Sequence, residues 1–303
     1  MFTQTKRLSA LPLTAILLTG CAVLFSGCGD DAGTTDKVAV KPKPKDKDKA
    51  TDGGKTDGTP KAKPANQVAF PKDKAVGQVA GIALFEGKAP KRGEIDISSK
   101  EECTKLHAGA KTVPDESLIV DDNGGVLTVR NVFVYVNGGL EQYTFDAPTE
   151  PVVLDQKGCI YTPHVFGLRL GQTLTVKNSD PLTHNVHYPA AKHAMFNKSQ
   201  GAGAKDDVNT FNKEDEVFAA FKCDVHTWMK AYMGVVDHPA FAVTDDKGAF
   251  GFPIKLPAGK YKLTARHESG RTKSVDIEVA ADGKVTPEKI EFKFTRKELT
   301  GGN

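Results

Sequence analysis

Two short segments of this 303-residue chain carry side chains that ligate metal ions. The first, Asn-Ser-Asp-Pro-Leu-Thr-His-Asn, contains His184. The second, Phe-Lys-Cys-Asp-Val-His-Thr-Trp-Met, contains Cys223, His226 and Met229. Together they offer two imidazoles, one thiolate and one thioether, which is a donor set for a soft or borderline metal ion.

Copper suits this donor set. Two imidazole nitrogens and one thiolate in a plane, with a distant thioether, stabilise both Cu(I) and Cu(II), because sulfur favours the reduced ion and imidazole accepts either. The Cys-x-x-His spacing lets one turn present Cys223 and His226 to the same ion, and His184 supplies the third ligand from the other loop. Met229 can close the site from the side. Met233 is the alternative, but we expect it in the core of the following strand.

Short strands joined by turns must position these loops. The chain has 29 Gly and 17 Pro with many Val and Thr, a composition that favours strands and tight turns. One long strand-like run covers 126–136, and only 98–108 is predicted to be a helix. The first ligand loop follows the run at 171–177, and the second lies between runs at 217–222 and 232–236. The sequence therefore predicts an all-β fold with Greek-key or sandwich packing.

The region 151–238 resembles a cupredoxin of the plastocyanin and azurin type. Its Gly-Gln-Thr-Leu-Thr-Val-Lys-Asn-Ser-Asp run, followed by His-Asn, is similar to the family's first-ligand strand and loop, and Phe-Lys-Cys-Asp-Val-His is similar to its ligand loop. The resemblance implies that Asn185 braces the Cys loop by hydrogen bonds. It also implies one type 1-like copper ion bound by four side chains, those of His184, Cys223, His226 and Met229.

The methionine spacing departs from the family's pattern. Plastocyanin-like loops usually place Met five residues after the His, whereas Met229 follows His226 by three residues and Met233 follows it by seven. A spacing of three resembles the copper A loop of cytochrome oxidase, but that binuclear site needs a second Cys, which this loop lacks. A mononuclear site is therefore predicted.

Three other side chains near the motifs are weaker candidates for a role at the metal site. His187 and His193 could add a ligand or a pH-sensitive gate, although exposed loop histidines are the simpler interpretation. Trp228 could be a docking surface or an electron-entry aromatic, or it could pack beside the site.

With Cys223 assigned to copper by the resemblance, Cys103 and Cys159 are the natural disulfide pair. Such a bridge would pin the predicted helix to the strand before Tyr161 and stabilise the fold by about 2 to 4 kcal/mol. A disulfide that included Cys223 would instead abolish the copper thiolate. No Cys-x-x-Cys pair and no Cys-x-x-Cys-His motif occurs, which argues against a structural zinc site and excludes covalent c-type haem.

The N-terminus has the features of a bacterial secretory signal. A Lys-Arg pair precedes an apolar run, and small residues precede a cysteine. Cys21 follows Leu-Thr-Gly and Cys28 follows Phe-Ser-Gly, so either fits a lipobox and could take the lipid. Ordinary cleaved export is the alternative. We predict a signal peptide and lipobox over 1–28 and a disordered Lys/Asp/Pro/Gly tether over 29–75.

The segments on either side of the copper-binding region resemble a second module. Phe-Ala-Val-Thr-Asp-Asp-Lys-Gly-Ala-Phe-Gly-Phe and the following Leu-Pro-Ala-Gly-Lys-Tyr-Lys-Leu resemble the carboxypeptidase regulatory-like, transthyretin-type sandwich. Gly-Gln-Val-Ala-Gly-Ile-Ala-Leu-Phe resembles that module's opening strand. We predict an N-terminal β segment over 76–150 and this small sandwich over 239–297. One sandwich could flank an inserted cupredoxin, or two domains could follow one another.

Charge and missing motifs narrow the function classes. The chain has 41 Lys and Arg against 38 Asp and Glu, and the basic surplus lies in residues 1–75, so the rest has no basic footprint for nucleic acid. Without a Gly-x-Ser-x-Gly or His-Glu-x-x-His motif, we expect no enzyme.

The preferred interpretation is an electron carrier in the periplasm or cell envelope of a bacterium. A lipid anchor would hold it at the membrane, and a redox protein such as a cytochrome would dock near an exposed His edge. The first alternative is a cell-envelope binding protein that holds copper or carbohydrate, the latter by fold-level analogy alone. The second is a copper oxidase or an accessory to a polysaccharide lyase.

Overall fold

The computed structural model describes most of the chain from residue 65 onwards. The described residues are 65–146, 148–189, 196–211 and 217–300, with Val217 described by its backbone alone. The predicted signal peptide, Cys21, Cys28, His193 and most of the predicted tether lie outside these residues. Within the described residues, neither helix combines the length and the apolar character needed to cross a bilayer.

The described residues form an all-β protein. The strands before the first ligand loop are β1 (Val68–Ala69), β2 (Ala75–Glu86), β3 (Glu94–Asp96), β4 (Thr112–Pro114), β5 (Val120–Asp122), β6 (Leu127–Val129), β7 (Phe133–Val136), β8 (Tyr143–Thr144), β9 (Val152–Gln156), β10 (Tyr161–Thr162), β11 (Val165–Arg169) and β12 (Thr173–Asn178). The later strands are β13 (His184–Tyr188), β14 (Phe196–Gln200), β15 (Asp207–Thr210), β16 (Val217–Lys222), β17 (Lys230–Val236), β18 (Phe241–Val243), β19 (Ala249–Pro257), β20 (Gly259–Arg266), β21 (Thr272–Val279), β22 (Val285–Thr286) and β23 (Glu291–Thr295). The helical elements are a 3-10 turn (Lys72–Lys74), α1 (Glu101–Leu106) and α2 (Arg296–Thr300).

Two sheets, together called the ligand sandwich, carry both ligand loops. Their strand orders are β10-β9-β12-β15 and β11-β17-β16-β13-β14. Strand β12 shows the alternation expected of a sandwich strand, since Leu174 and Val176 are buried while Thr175 between them is partly exposed. The core between the sheets is aromatic and aliphatic, with Phe221, Tyr188 and Leu168 fully buried. Because β13 lies beside β16, with His187 opposite Lys222, both ligand loops meet at one end of the same sheet.

Strands from both sides of 151–238 form a second pair of sheets, the flanking sandwich. The first sheet has the order β18-β7-β20-β21-β22, and the second has the order β19-β2-β6-β5 with β23 also paired to β2. Each sheet thus combines strands that precede the ligand sandwich with strands that follow it. Along the chain, the ligand sandwich is therefore inserted between the two groups of strands that form the flanking sandwich.

A small hydrophobic cluster joins the segment around α1 to the ligand sandwich. The hairpin of β3 and β4 frames the helix, and a disulfide links Cys103 of α1 to Cys159. Ile97, Val113 and both cysteines are buried together, with Trp228 packed against them. The helix begins at Glu101 with Lys100 as its N-cap, rather than with Ser98 or Ser99 as the predicted cap, because the backbone N–H of Ser98 is held in a turn by the Asp96 carboxylate at 2.8 Å.

Candidate metal centre

Asn178, at the end of β12, shapes the first ligand loop. Its side-chain amide donates to the carbonyl oxygens of Leu182 at 2.9 Å and Gln200 at 2.8 Å, and its Oδ1 accepts the backbone N–H of Asp180 at 3.1 Å. These bonds close the turn over the Asn-Ser-Asp-Pro sequence. The chain then enters β13 at His184.

The second ligand loop is closed by bonds within itself. The backbone N–H of Cys223 donates to the Met229 carbonyl at 3.3 Å, and that of Met229 donates to the His226 carbonyl at 2.8 Å. The His226 N–H donates to the Cys223 sulfur at 3.3 Å. The Cys-x-x-His-x-x-Met sequence is therefore one compact turn between β16 and β17.

Three predicted ligands converge at the point where the two loops meet. The Nδ1 atoms of His184 and His226 are 2.9 Å apart, and Cys223 Sγ is 4.0 Å from His226 Nδ1. Ligand atoms of all three residues lie within 4.8 Å of one another. The three side chains are 0%, 3% and 2% exposed for His184, His226 and Cys223, so the pocket excludes water.

These separations suit a single metal ion. Bonds of about 2.0 Å to imidazole and about 2.3 Å to thiolate put two nitrogens about 3 Å apart and a nitrogen and sulfur about 4 Å apart around one ion. Cys223 is the free cysteine among the described residues, so its sulfur is available as a thiolate. Two imidazoles and one thiolate fit copper in either of its common oxidation states.

Asn185 braces the second loop. Its Oδ1 accepts the backbone N–H groups of Asp224 at 2.7 Å and Val225 at 3.3 Å, and the Cys223 sulfur lies 3.2 Å from the same oxygen. One side chain of β13 thus fixes the backbone that carries Cys223. Because Asn185 directly follows His184, the same strand sets both loops.

Asp180 contacts the far side of His184. Its Oδ2 accepts a hydrogen bond from His184 Nε2 at 2.8 Å, and the carboxylate also accepts the backbone N–H groups of Gly158 at 2.6 Å and Cys159 at 2.8 Å. Neither Asp180 nor Asn178 had been picked out from the sequence as a site residue. A carboxylate four residues before a candidate histidine, in a turn, was the available signal for Asp180.

The protonation properties of the pocket follow from burial and these bonds. Burial and the neighbouring His184 charge lower the pKa of His226 to about 4, so its ring is neutral at pH 7. Burial raises the pKa of the Cys223 thiol, but hydrogen bonds from His184 and from loop backbone outweigh burial and hold that pKa below its usual range. Burial lowers the pKa of His184, but its bonds with Asp180 and Cys223 outweigh burial and raise it. A thiolate and a neutral imidazole are the forms that bind metal.

The two candidate methionines occupy different places. Met229 is 1% exposed and belongs to the closed ligand loop. Met233 is equally buried but lies within β17, in the core of the ligand sandwich. The loop position makes Met229 the better candidate for a ligand beside His226.

The expectation of an exposed His edge is wrong. His226 is covered by Trp228, whose ring centroid lies 5.3 Å from that of the imidazole, and by the Cys103–Cys159 disulfide, whose sulfurs lie within 4.8 Å of a His226 ring nitrogen. Burial protects the His226 imidazole from water, but it prevents the direct contact between the ring and a partner protein that was expected from the sequence. Trp228 is half-buried, so it links His226 to the protein surface.

His187 points away from the candidate ligands. Its Nδ1 bonds the Asp224 carboxylate at 3.0 Å, and it belongs to no group of converging ligand atoms among the described residues. The structure thus gives His187 a hydrogen-bond partner near the surface rather than a place in the metal pocket.

Comparison with known proteins gave distant structural similarities. No protein-family model and no curated protein matches the chain. The copper-containing nitrite reductase of Thermus scotoductus SA-01 is similar at 20% identity and a TM-score of 0.26, over 29% of this chain and 23% of that one. The chain therefore spans less than a quarter of the reductase.

Two smaller proteins are similar over most of their own length. Amicyanin of Paracoccus versutus is 20% identical with a TM-score of 0.26, over 30% of this chain and 85% of that one. A purple cupredoxin of Nitrosopumilus maritimus is 18% identical with a TM-score of 0.24, over 28% of this chain and 98% of that one. At these TM-scores, function has to be inferred from the site itself.

Proposed function

We propose that this chain is a mononuclear copper protein that acts in electron transfer. The observation that carries the proposal is the buried convergence of His184 Nδ1, His226 Nδ1 and Cys223 Sγ at separations that suit one ion. His184, His226 and Cys223 would hold the copper, and Met229 would supply a thioether from the side. Copper bound there would supply one-electron chemistry by alternating between Cu(I) and Cu(II).

The protein's own residues favour fast and reversible transfer. Asn185 and Asp180 fix the two loops by hydrogen bonds that do not involve the metal, so the ligands are held in place beforehand. Burial of the pocket excludes water that would otherwise reorganise when the charge changes. The same burial leaves little room for a substrate at the metal, which favours a carrier over an enzyme.

We propose that the protein works in the cell envelope of a bacterium, held at the membrane by a lipid on Cys21 or Cys28. The predicted secretory signal and lipobox support this proposal, and disulfides persist in oxidising compartments such as the periplasm. The partner would be another redox protein, such as a cytochrome. Because His226 is covered, we expect that partner to reach the centre through Trp228.

Copper reconstitution followed by visible absorption tests the proposal. We expect one copper per chain and an intense thiolate-to-copper absorption band that is lost in Cys223→Ser. His187→Gln is the matched control, since His187 lies on the same strand as His184 but outside the pocket, and should keep the band. Voltammetry should then show a reversible one-electron wave.

The other outcomes separate the alternatives. Copper binding without the band or the wave would favour a copper-holding protein. Chains that bind no copper would favour a carbohydrate-binding or scaffold role and would end the electron-transfer proposal.

A further inference from the structure

The peptide at Cys159 contacts the surroundings of both candidate histidines. Its N–H donates to Asp180 Oδ2 at 2.8 Å, and the same oxygen accepts the bond from His184 Nε2. Its carbonyl accepts the indole N–H of Trp228 at 2.9 Å, and that indole packs on His226. One residue outside the ligand loops thus supports both imidazoles, each through one intermediate side chain.

The Cys159 peptide is itself held from two directions. The disulfide to Cys103 ties its side chain to α1, and His107 at the end of that helix bonds the neighbouring Gly158 carbonyl at 2.8 Å. Cys159 also has a φ of 54°, a left-handed conformation that is unfavourable for a non-glycine residue and needs support from its surroundings. The conformation turns the N–H towards Asp180 while the carbonyl faces Trp228.

We propose that Asp180 and Cys159 are positioning residues of the metal centre, and that the Cys103–Cys159 disulfide is their covalent support. This inference rests on the proposed function. Backbone N–H groups only donate, so the Asp180 carboxylate acts as an acceptor towards Gly158, Cys159 and His184 alike. A proton therefore sits on His184 Nε2, and the Nδ1 lone pair of the neutral ring faces His226 and Cys223, where the metal would bind.

The disulfide acts here as a structural brace. Both cysteines are fully buried among Ile97 and Val113, so a reductant in solution has no direct access to the bond. Without the disulfide, the 158–159 peptide would be less firmly held. Its N–H groups would then hold the Asp180 carboxylate less firmly, and its Cys159 carbonyl would be a weaker acceptor for the Trp228 indole. Metal-site partners of this kind commonly change affinity about 10- to 100-fold when they are lost.

Asp180→Asn tests the link at a single atom. The amide keeps the shape of the carboxylate but replaces one acceptor oxygen by a donor. At the Oδ2 position that donor faces both the Cys159 N–H and His184 Nε2, and at the Oδ1 position it faces the Gly158 N–H. Either orientation loses a bond to the 158–159 peptide, and the first also moves the His184 proton to Nδ1, the ring nitrogen that faces the pocket, so we expect mixed His184 tautomers and weaker copper binding. Long-range proton–nitrogen NMR of the metal-free full chain, at a pH high enough for the ring to be neutral, reports that tautomer directly.

The second variant is Cys103→Ser with Cys159→Ser. It should loosen the same link, giving mixed His184 tautomers and about 10- to 100-fold weaker copper binding with a shifted absorption band. Combined with Asp180→Asn, it should add little, because residues acting through one link are not additive. Val113→Ala is the matched control, since it removes packing from the disulfide cluster without touching a hydrogen bond of the link, and it should leave the tautomer unchanged.

Two results would overturn the inference. One is a wild-type His184 tautomer together with wild-type copper affinity in Asp180→Asn, and the other is an additive loss of copper affinity when the variants are combined. A metal-free protein in which Asp180→Asn moves the tautomer, but whose wild type binds no copper, would remove the proposed function while supporting the role of Asp180 towards His184.

Discussion

His267 is a buried histidine outside the metal pocket whose surroundings make folding sensitive to pH. It is 2% exposed, and its Nδ1 accepts the backbone N–H of Ser269 at 3.2 Å. Burial, with a further contribution from the nearby His164 charge, lowers the pKa of His267 to about 4. Burial also lowers the pKa of His164, but its ion pair with Glu268 outweighs burial and raises it. At pH 7 the neutral His267 ring therefore lies close to the His164–Glu268 pair.

Acid should weaken the fold through His267. In the unfolded chain its pKa returns to about 6.5, so below that pH the unfolded state takes up a proton that the folded state refuses until about pH 4. Stability from this residue is complete above pH 6.5 and is lost as the pH falls to 4. We expect His267→Gln to remove a pH-dependent contribution on the order of 3 kcal/mol across that window.

Urea unfolding of the wild type and of His267→Gln at several pH values between 7 and 4 measures this difference. His187→Gln is the control, because that ring is partly exposed and lies away from the His164–Glu268 pair. Equal pH slopes for the wild type and His267→Gln would show that another group carries the acid sensitivity.

Candidate site residues were easier to propose from the sequence when their signals lay close together along the chain. His184, Cys223, His226 and Met229 stand in two short motifs, so residue type and spacing were enough to propose them as ligands. The role of Asn185 came from a family resemblance rather than from its own chemistry. Asp180 could not be assigned, because two of its three hydrogen-bond partners are backbone N–H groups at 158 and 159, and a backbone group leaves no mark on a sequence.

At the scale of elements, two glycines lie in the contact between the sandwiches. Gly167 of β11 and Gly234 of β17 are directly opposite each other in register. A Cβ at Gly234 would overlap the ring of Phe133, and one at Gly167 would overlap the ring of Phe241. The bare backbone of this pair is therefore the surface on which aromatic rings of the flanking sandwich pack.

We expect Gly234→Ala to destabilise the protein by about 1 to 3 kcal/mol, because the added methyl must displace a buried ring. Phe133→Leu in the same chain should recover part of that loss by vacating the space. Gly251→Ala is the control, since its Cβ would lie 3.9 Å from the nearest atom, Ala80 Cβ, an ordinary contact. Thermal unfolding compares the four proteins, and equal losses for the two glycine variants would refute the packing explanation.

Some element boundaries could not be predicted, for a physical reason that 126–136 illustrates. The run was predicted as one strand, but the structure divides it into β6 and β7, which belong to different sheets of the flanking sandwich. Asn131, with a φ of 62°, makes the corner between them. Apolar residues lie on both sides of the corner because both strands are buried, and only Arg130 and Asn131 interrupt them, so the pattern alone predicts a single strand. Asn is a residue that tolerates this conformation, and it was the one local signal.

In the whole molecule, the ligand sandwich is nested within the flanking sandwich, because its residues lie between the two chain segments that form that sandwich. The main core of the flanking sandwich consists of buried residues drawn from 79–140 and 240–299, with none from the ligand sandwich. The chain leaves the flanking sandwich and returns to it at the same place. The rings of Phe145 and His238 are 6.1 Å apart, and His238 Nε2 bonds the Val136 carbonyl at 2.9 Å. The sequence showed similar strands at both ends, but only the pairing of β2 with β19 and β23 shows that they form one unit.

The insertion of the ligand sandwich within the flanking sandwich predicts opposite effects on folding for two deletions, one internal and one at the C-terminal side. Replacing residues 147–237 by a short Gly/Ser linker should leave the flanking sandwich folded, because its core and both chain ends remain. The excised protein should be less stable than the full chain, since Phe133 and Tyr135 lose their cover. Truncation after residue 239 should instead unfold the flanking strands, because β2 loses β19 and β23 while β7 loses β18 and β20.

Amide hydrogen exchange in β2 and β7 separates the two cases. These strands should stay protected in the excised protein and exchange rapidly in the truncated one, while β12 and β17 of the truncated protein report whether the ligand sandwich persists. Protected β2 amides after truncation would mean that the first half folds without its later partners. A strand whose amides stay protected after it loses two neighbouring strands does not depend on those neighbours for its stability. That result would show that the earlier and later strands of the flanking sandwich are stable independently, although they share sheets.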